Sequence, residues 1–593
     1  VNLSQALDTA LDAARIGGEI LRSDFHRPGG AKGVEDKAEA DLRAETAIRR
    51  ALLTAFPHHS YLGEETGAAS GQEGAPLWLV DPNDGTLDYL KGRRGSAVSI
   101  ALLEHRRPVL GVVFAFAYPD DRGDVFAWAV GMEGPQRNGK VVSTTPPSLL
   151  GADDVVLLSR VAERDVDGSL AAVAPARYRS VPSIAHRLAL VACGEAQATV
   201  SLYAPGAWDY GAGHALVRSV GGVVVNEAGA EVTYGPDGAS KTERAFAGSA
   251  PVVAALVGRG WDPISRSTDG PFVRIGPGES IDDPGLLSRA QGCLLGEMGG
   301  ASLGAQVGSL LPADIARTFP GGPRLLVSTP EHLAGQPTEE AELGLVLARS
   351  LIGRGIYDPE EAATAYRAWY RTGPTDLDPT TRAALVGYFV GESQSSGSLV
   401  RIPPLAVFAH ALPRERVAAL GREDSALTHP SPACRDAGAA LAVAIAHVIA
   451  NGVGARAAYE AARGWAEAAP ADRRVVEALR GAAQEPVPRD AHEQGACGAL
   501  QNAFFEALRA PSLEAGLVAT VQRGGEAARS AAVAGALLGA LHGRDAVPAQ
   551  WRSMVLSCRA HTARARHPRP PSGWAVDLLE IAEGLVLAGR ARG

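Results

Sequence analysis

The sequence predicts a multidomain protein, an α+β layered domain followed by an all-α bundle, and three observations carry that prediction. A chain of 593 residues exceeds what a single hydrophobic core normally organises. Up to about residue 258, short β-rich runs alternate with helical segments, the pattern of layered sheets and helices. From about residue 285 onward, alanine- and leucine-rich helical periodicity dominates and extended β runs nearly vanish. The intervening segment is rich in Gly, Pro, Ser and Asp and reads as a linker. The expected boundaries are 1–258 for the first domain, 259–284 for the linker and 285–593 for the second domain.

Taken in order, the N-terminal VNLSQALDTALDAARIGGEI is amphipathic and lacks the basic start and continuous apolar core of a signal peptide. An acidic helix is expected over 35–50. Apolar runs at Leu77–Val80, Val98–Leu103, Val109–Phe116, Val155–Leu158 and Gly222–Val225 read as strands. In the second half, the apolar run Ala439–Ala450 is too short to span a bilayer and contains His447. A proline-rich segment at 566–574 precedes the final helix.

A hydrophobic share of 46% supports well-buried cores, while a net charge of −9 argues against a dedicated nucleic-acid binder and against docking on an anionic membrane. The five cysteines are scattered and form no C-x-x-C, as expected of free thiols in a reducing compartment. The expectation is a cytoplasmic protein with neither nucleic acid nor membrane as partner. His186, His214, His429 and His492 stand singly, without metal-ligand spacing, and read as ordinary hydrogen-bonded residues.

The most informative stretch is YLGEETGAASGQEGAPLWLVDPNDGTLDYLK at 61–91. Glu64 and Glu65 end one apolar run, and Asp81 and Asp84 follow another, with Pro82 and Gly85 forcing a turn. Clustered carboxylates repel unless cations neutralise them, and hard oxygen ligands select magnesium-like metals. This points to a metal-dependent phosphatase site.

GEE at 63–65, DPNDGT at 81–86, WDYGAG at 208–213 and GGVVVNEAG at 221–229 occur in the order found in the inositol monophosphatase family, which residues 1–258 resemble. The 35–50 helix, with Asp41 and Glu45, is similar to that family's first helix. The resemblance implies a layered sugar-phosphatase fold holding two or three magnesium ions. It implies Glu64, Asp81, Asp84 and Asp209 as metal carboxylates, with the backbone carbonyl of Asn83. Asp41 would hold a weaker additional metal through water. Glu65 and Thr86 would orient the attacking water, with Asp84 also in the catalytic set. Gly85, Thr86, Ser183, Ile184 and Asp209 would bind a small phosphorylated sugar, inositol or nucleoside-type substrate. A homodimer through this domain is compatible with the resemblance.

One departure bears on specificity. The family carries an acid several positions before W-D that contacts ring hydroxyls, and here that stretch is Ser201, Leu202 and Tyr203. In the phosphate-approaching loop, Pro182 has no N–H to donate.

The helical half resembles the ADP-ribosylglycohydrolase family through GCLLGEMGGASLGA at 292–305, TEEAELGLVLARSL at 338–351, SSGSLVRIPPLAVFA at 395–409 and GGEAARSAAVAGALLGALHG at 524–543. That resemblance implies an all-α bundle with two magnesium ions acting on ADP-ribosyl bonds. The ligand positions depart from it. The family's aspartate-bearing runs read Gly300-Ala301-Ser302, Thr338-Glu339-Glu340-Ala341 and Gly525-Glu526-Ala527-Ala528-Arg529 here. Three readings stay open: a degenerate domain kept for binding or packing, altered ribosyl chemistry using Thr338, Glu339, Glu340, Glu526 and Arg529, or hydrolysis with an unusual ligand set. A non-catalytic ligand-binding protein is the alternative of another class. Glu342, Glu360 and Glu361 read as a solvated helix face.

Overall fold

The computed structural model describes residues 2–261, 272–308, 310–485 and 495–590. Part of the segment read as linker, 262–271, and His492 lie outside the described residues. The chain divides into two compact units, Val1–Gly270 with Ile275–Asp282, and Pro271–Arg274 with Asp283–Gly593.

The first unit opens with helix α1 (Leu3–Phe25), where Asn2 caps the N-terminus by accepting from the Gln5 N–H. Its buried Ala6, Ala10, Ala13, Gly17 and Leu21 recur at three- and four-residue spacing, a single apolar stripe. The acidic segment forms the second helix rather than the first. Glu35 adopts φ 58° between two short strands, β1 (Gly33–Val34) and β2 (Lys37–Ala38), so helix α2 runs only from Glu39 to Ala55.

Next comes an eight-stranded sheet of β3 (Ser60–Gly63), β4 (Gly67–Ala69), β5 (Leu77–Asp84), β6 (Ala97–Glu104), β7 (Arg107–Ala115), β8 (Asp124–Ala129), β9 (Gln136–Arg137) and β10 (Lys140–Val141). Its order is β10-β9-β8-β7-β6-β5-β3-β4, antiparallel except for the parallel pair β3–β5. That pair sets Gly63 opposite Val80, so the GEE and DPND segments emerge side by side from one end of the sheet. Helices α1 and α2 pack against β5 and β7, with Ile48, Leu52, Trp78, Ile100 and Val112 fully buried between them.

A second sheet, β11 (Val155–Leu158), β12 (Arg177–Ser180), β13 (Ala198–Ser201), β14 (Val223–Asn226) and β15 (Ala245–Gly248), has the order β12-β11-β13-β15-β14. β11 is parallel to both β12 and β13, so the chain leaves all three on the same side. Helices α5 (Ile184–Ala192) and α6 (Ala207–Ser219) touch both sheets and form the layer between them. α3 (Thr86–Tyr89) is a single turn after β5, while α4 (Val166–Val173) and α7 (Ala250–Val257) pack on the second sheet. Residues 275–282 lie on this unit, where Arg94 donates to the Ile281 carbonyl at 2.7 Å.

The second unit contains no strand among the described residues. Its closest packing is between helices Pro284–Ala305 and Ala527–His542. Gly292, Gly296 and Gly300 face Gly539, Gly535 and Ala531, and a Cβ on Gly535 would overlap the Gly296 carbonyl oxygen. Gly535→Val should therefore cost about 3 kcal/mol, the upper end of overpacking penalties. Urea unfolding, with hydrogen exchange read on the two helices, measures that loss.

The apolar run around Ala439–Ala450 belongs to a longer helix, Pro432–Asn451, than the sequence pattern suggested. By length and composition it is long and apolar enough to cross a membrane, but most of its residues are buried inside the unit.

Candidate metal centre and its counterpart in the helical unit

The centre in the first unit is built where β5 breaks its register with β6, between Asp81 and Asp84. The Asn83 N–H donates to Asp81 Oδ1 at 2.7 Å, the Thr86 hydroxyl donates to the Asn83 carbonyl at 2.8 Å, and Gly85 supplies φ 99° between them. An L side chain disfavours that backbone angle. Its ideal Cβ would also sit 3.4 Å from the Ser183 nitrogen, so the turn lies against the start of α5. There Asp84 Oδ2 accepts from the Ser183 hydroxyl at 2.6 Å and the Ala185 N–H at 2.7 Å. Asp209 enters from the first turn of α6, accepting from the Gly206 N–H at 2.6 Å. That turn is pinned to the first sheet because Ser99 donates to the Trp208 carbonyl at 2.8 Å.

One carboxylate oxygen from each of Asp81, Asp84 and Asp209 lies within 4.8 Å of the others. Burial pushes all three carboxyls above their ordinary range. At Asp81 the charges of Glu64, Asp84 and Asp209 add to it, and at Asp209 those of Asp84 and Glu64 do. Burial likewise lifts Glu64 to about 7. Oxygen donors that cannot all ionise without a counter-cation fit a hard divalent metal.

Glu64, Asp81, Asn83, Asp84, Gly85, Thr86, Ile184 and Asp209 line one cavity of about 400 Å³. Two residues expected at the site are absent from that lining. Glu65 does not line it. Glu64–Thr66 form the turn between β3 and β4, where the Glu64 N–H bonds the Val80 carbonyl. In that turn the Glu65 carboxylate lies 3.4 Å from the Lys37 ammonium, while its N–H bonds Glu45. Asp41 also stands outside the lining, behind the site. It accepts from the Ala38 N–H at 2.8 Å and from the Asn83 side-chain amide at 2.9 Å, so it caps α2 and holds Asn83. Burial raises its carboxyl to about 6. Ser183 reaches the centre through Asp84 rather than through the cavity surface.

Sequence reasoning missed the cations of the cavity. Arg160, Arg164 and Arg187 line it together with Lys91 and Arg93. Arg187 lies four residues after Ser183 on α5, a helical spacing that could have flagged it; Arg160 and Arg164 belong to no recognised motif. His214 fits the histidine reading, sharing a 3.0 Å hydrogen bond with Tyr234, whereas buried His186 packs its ring against Tyr118 at 5.0 Å with neither ring nitrogen hydrogen-bonded.

In the helical unit, the structure joins three of the five candidate residues. Arg529 bridges Glu526 at 2.6 Å and Glu340 at 3.4 Å. Glu526 also accepts from the Ser396 hydroxyl at 2.6 Å, and Glu340, almost fully buried, accepts from the Asp378 N–H at 3.0 Å. Glu339 instead accepts from the Asp376 N–H at 3.1 Å, on the loop beside the helix it begins. Thr338 is the N-cap residue of that helix, and its hydroxyl makes no cap bond. Asp378, with His429 3.4 Å away, is a neighbour the sequence did not single out. Although burial opposes it, the neighbouring His429 ring and the Ser395 hydroxyl, which donates at 2.6 Å, hold the Asp378 carboxyl below its ordinary range. Glu342 is not solvated: it is buried, accepting from Trp369 at 2.8 Å and from Arg569 at 2.9 Å.

Comparison with known proteins agrees with both resemblances. The family model for the inositol monophosphatase family matches residues 2–253, and that for ADP-ribosylglycohydrolase matches 282–586. Inositol monophosphatase 1 of Solanum lycopersicum is 32% identical over 248 residues, spanning 39% of this chain and 87% of its own length. The 3'(2'),5'-bisphosphate nucleotidase CysQ of Escherichia coli O157:H7 is 30% identical over 39% of this chain and 94% of its own. Among solved structures, an ADP-ribosylglycohydrolase-related protein complex is 25% identical, with a TM-score of 0.42, covering 51% of this chain and 98% of its own. The chain therefore belongs to the inositol monophosphatase family through its first unit and to the ADP-ribosylglycohydrolase family through its second.

Proposed function

We propose that the working catalyst is the first unit, a magnesium-dependent phosphomonoesterase acting on a small phosphorylated substrate. The observation that carries this reading is the convergence of Asp81, Asp84 and Asp209 oxygens within 4.8 Å at the head of a cavity that Glu64 also lines. These four carboxylates and the Asn83 carbonyl would hold the metal. When bound, magnesium supplies Lewis-acid activation of water and neutralises charge on the phosphoryl oxygens. The residues themselves position. Thr86, whose hydroxyl donates to the Asn83 carbonyl at 2.8 Å, and Glu64 line the cavity in which an attacking water would be oriented. Ser183 and the Ala185 N–H fix Asp84, and Asp41 fixes Asn83. Phosphoryl transfer asks chiefly for positioning and charge neutralisation, so no side-chain nucleophile is required.

For the second unit, the Arg529 bridge supports a degenerate or repurposed site. A guanidinium held between two carboxylates occupies the place a divalent cation would otherwise take, and Ala301 and Ala528 offer no ligand oxygen. The chain should not hydrolyse ADP-ribosylated arginine. Efficient turnover of that substrate, lost on Glu340→Gln, would instead establish an adapted hydrolase.

Specificity follows from the wall made by Ser201, Tyr203, Ala204 and Pro205, which carries no carboxylate to accept ring hydroxyls. Inositol 1-phosphate should show kcat/KM about tenfold or more below the best sugar or nucleoside phosphate, because an unmet hydroxyl partner costs discrimination. Steady-state kinetics across such a panel with magnesium decides it, and a clear preference for inositol phosphate contradicts it.

A further inference from the structure

The family match of the first unit ends at residue 253, yet residues 275–282 belong to the same compact unit. Their sequence dictates a tight turn. In Gly276-Pro277-Gly278-Glu279 the Glu279 N–H donates to the Gly276 carbonyl at 3.1 Å, with proline second and glycine third at φ 76°, the residues a type II turn demands. That turn is seated directly on backbone. A Cβ on Gly278 would stand 2.4 Å from the Arg27 carbonyl oxygen and 2.5 Å from the Gly30 nitrogen, in the turn that follows α1. Pro277 also closes on Gly92, where a Cβ would come within 2.8 Å of the Pro277 nitrogen and Cα. Further along, Ile281 is buried to 1% exposure, and its carbonyl accepts from Arg94 at 2.7 Å. Arg94 in turn grips the unit through the Ala117 carbonyl at 2.8 Å and Asp121 at 2.7 Å.

The loop held in this way, 91–95, carries two cations that line the phosphatase cavity, Lys91 and Arg93. One side of the loop is tied to α3. The Lys91 and Arg93 N–H groups donate to the Asp88 carbonyl at 3.1 and 3.0 Å, and the Arg93 guanidinium pairs with the Asp88 carboxylate at 2.6 Å. The other side, at Gly92 and Arg94, rests on residues 276–281. We propose that residues 275–282 are a strap belonging to the phosphatase, which holds the 91–95 loop so that Lys91 and Arg93 stay at the cavity to attract a phosphorylated substrate. This rests on the phosphomonoesterase reading and adds to it a positioning element beyond the family's matched span. None of residues 275–282 lines the cavity, so the strap acts on binding through the loop and not on the carboxylates. A loop ordered in advance spares the substrate the entropy of ordering it.

The test uses the full chain. Gly278→Val can neither keep φ 76° nor clear the Arg27 carbonyl, so it displaces the strap at the 27–30 turn and leaves the loop's own residues unchanged. Gly260→Val is the control, because a Cβ there meets nothing within 4 Å. With magnesium and the fastest substrate among glucose 1-phosphate, adenosine monophosphate and inositol 1-phosphate, Gly278→Val should raise KM about tenfold and hold kcat within about twofold, as loss of uniform binding does. Hydrogen exchange should quicken about tenfold at residues 90–95, a local opening, and stay at the parent's rate in β5, β6 and β7. Gly278→Ala, which adds only the Cβ, should move both readouts the same way by less, and Gly260→Val should move neither. Exchange at 90–95 that is unchanged in both Gly278 variants, or quickened with KM unmoved, overturns the strap while phosphate release by the parent keeps the phosphomonoesterase. A fall in kcat with faster exchange throughout the unit makes residues 275–282 general support of the fold and also overturns the proposal. A parent that releases phosphate from none of the three compounds overturns the phosphomonoesterase reading, and the strap's role in binding with it.

Discussion

Asp209→Asn and Asp84→Asn should each slow magnesium-dependent phosphate release by more than about 100-fold, the scale lost with a mere outer-sphere partner of a metal. Each change removes a negative oxygen from a set whose members lie within 4.8 Å, while keeping side-chain volume. The fold should not suffer. Burial already pushes both carboxyls upward, so without metal their charge is a burden to the folded state rather than a support. The metal-free variants should therefore melt no lower than the metal-free parent, and magnesium should raise the parent's melting temperature more than theirs. Phosphate release at saturating magnesium, paired with thermal unfolding with and without the metal, separates loss of a ligand from loss of structure. Undiminished turnover in either variant contradicts the site.

Arg529→Ala should have the second largest effect, and its sign distinguishes an internal counter-ion from a substrate-binding arginine. Removing the guanidinium leaves Glu340, 3% exposed, and Glu526 without their cation. Breaking one side of a buried pair costs about 3 kcal/mol or more. Hydrogen exchange should quicken in the Ala527–His542 and Glu339–Arg354 helices without change in the first unit. Magnesium should partly restore protection in the variant, because a divalent cation can then neutralise the two carboxylates left without their guanidinium, and should not alter those helices in the parent. Unchanged exchange in the variant would falsify the counter-ion role.

How much of this was legible in the sequence follows from how far each feature reaches along the chain. The turn chemistry of DPNDGT is local, and Pro82 and Gly85 marked the bend that the structure places between Asp81 and Thr86. The strand runs at 77–80, 98–103, 109–116 and 155–158 all fall within or beside observed strands, because apolar β-rich runs bounded by turns are a local signal. The choice between Glu64 and Glu65 was not local. It depends on what the turn after β3 meets far along the chain: Lys37 beside the Glu65 carboxylate and Glu45 at its N–H. Asp41 was legible as an acid near the site, but not as the residue that spends both oxygens on Ala38 and Asn83. Glu342 looked like a helix-surface acid because its partners, Trp369 and Arg569, are 27 and 227 residues away. Arg160 and Arg164 escaped for the same reason: they reach the cavity of the carboxylates only through the parallel strands of the second sheet.

The most direct test of the central claim is metal-dependent phosphate release by the intact chain. After exhaustive chelation, phosphate should not be released from a panel of sugar, nucleoside and inositol phosphates. Adding magnesium should restore release in the parent protein and in Arg529→Ala, and should leave Asp209→Asn silent. Release that persists in chelator, or that magnesium restores equally in Asp209→Asn, would contradict a catalyst built on the carboxylates of the first unit.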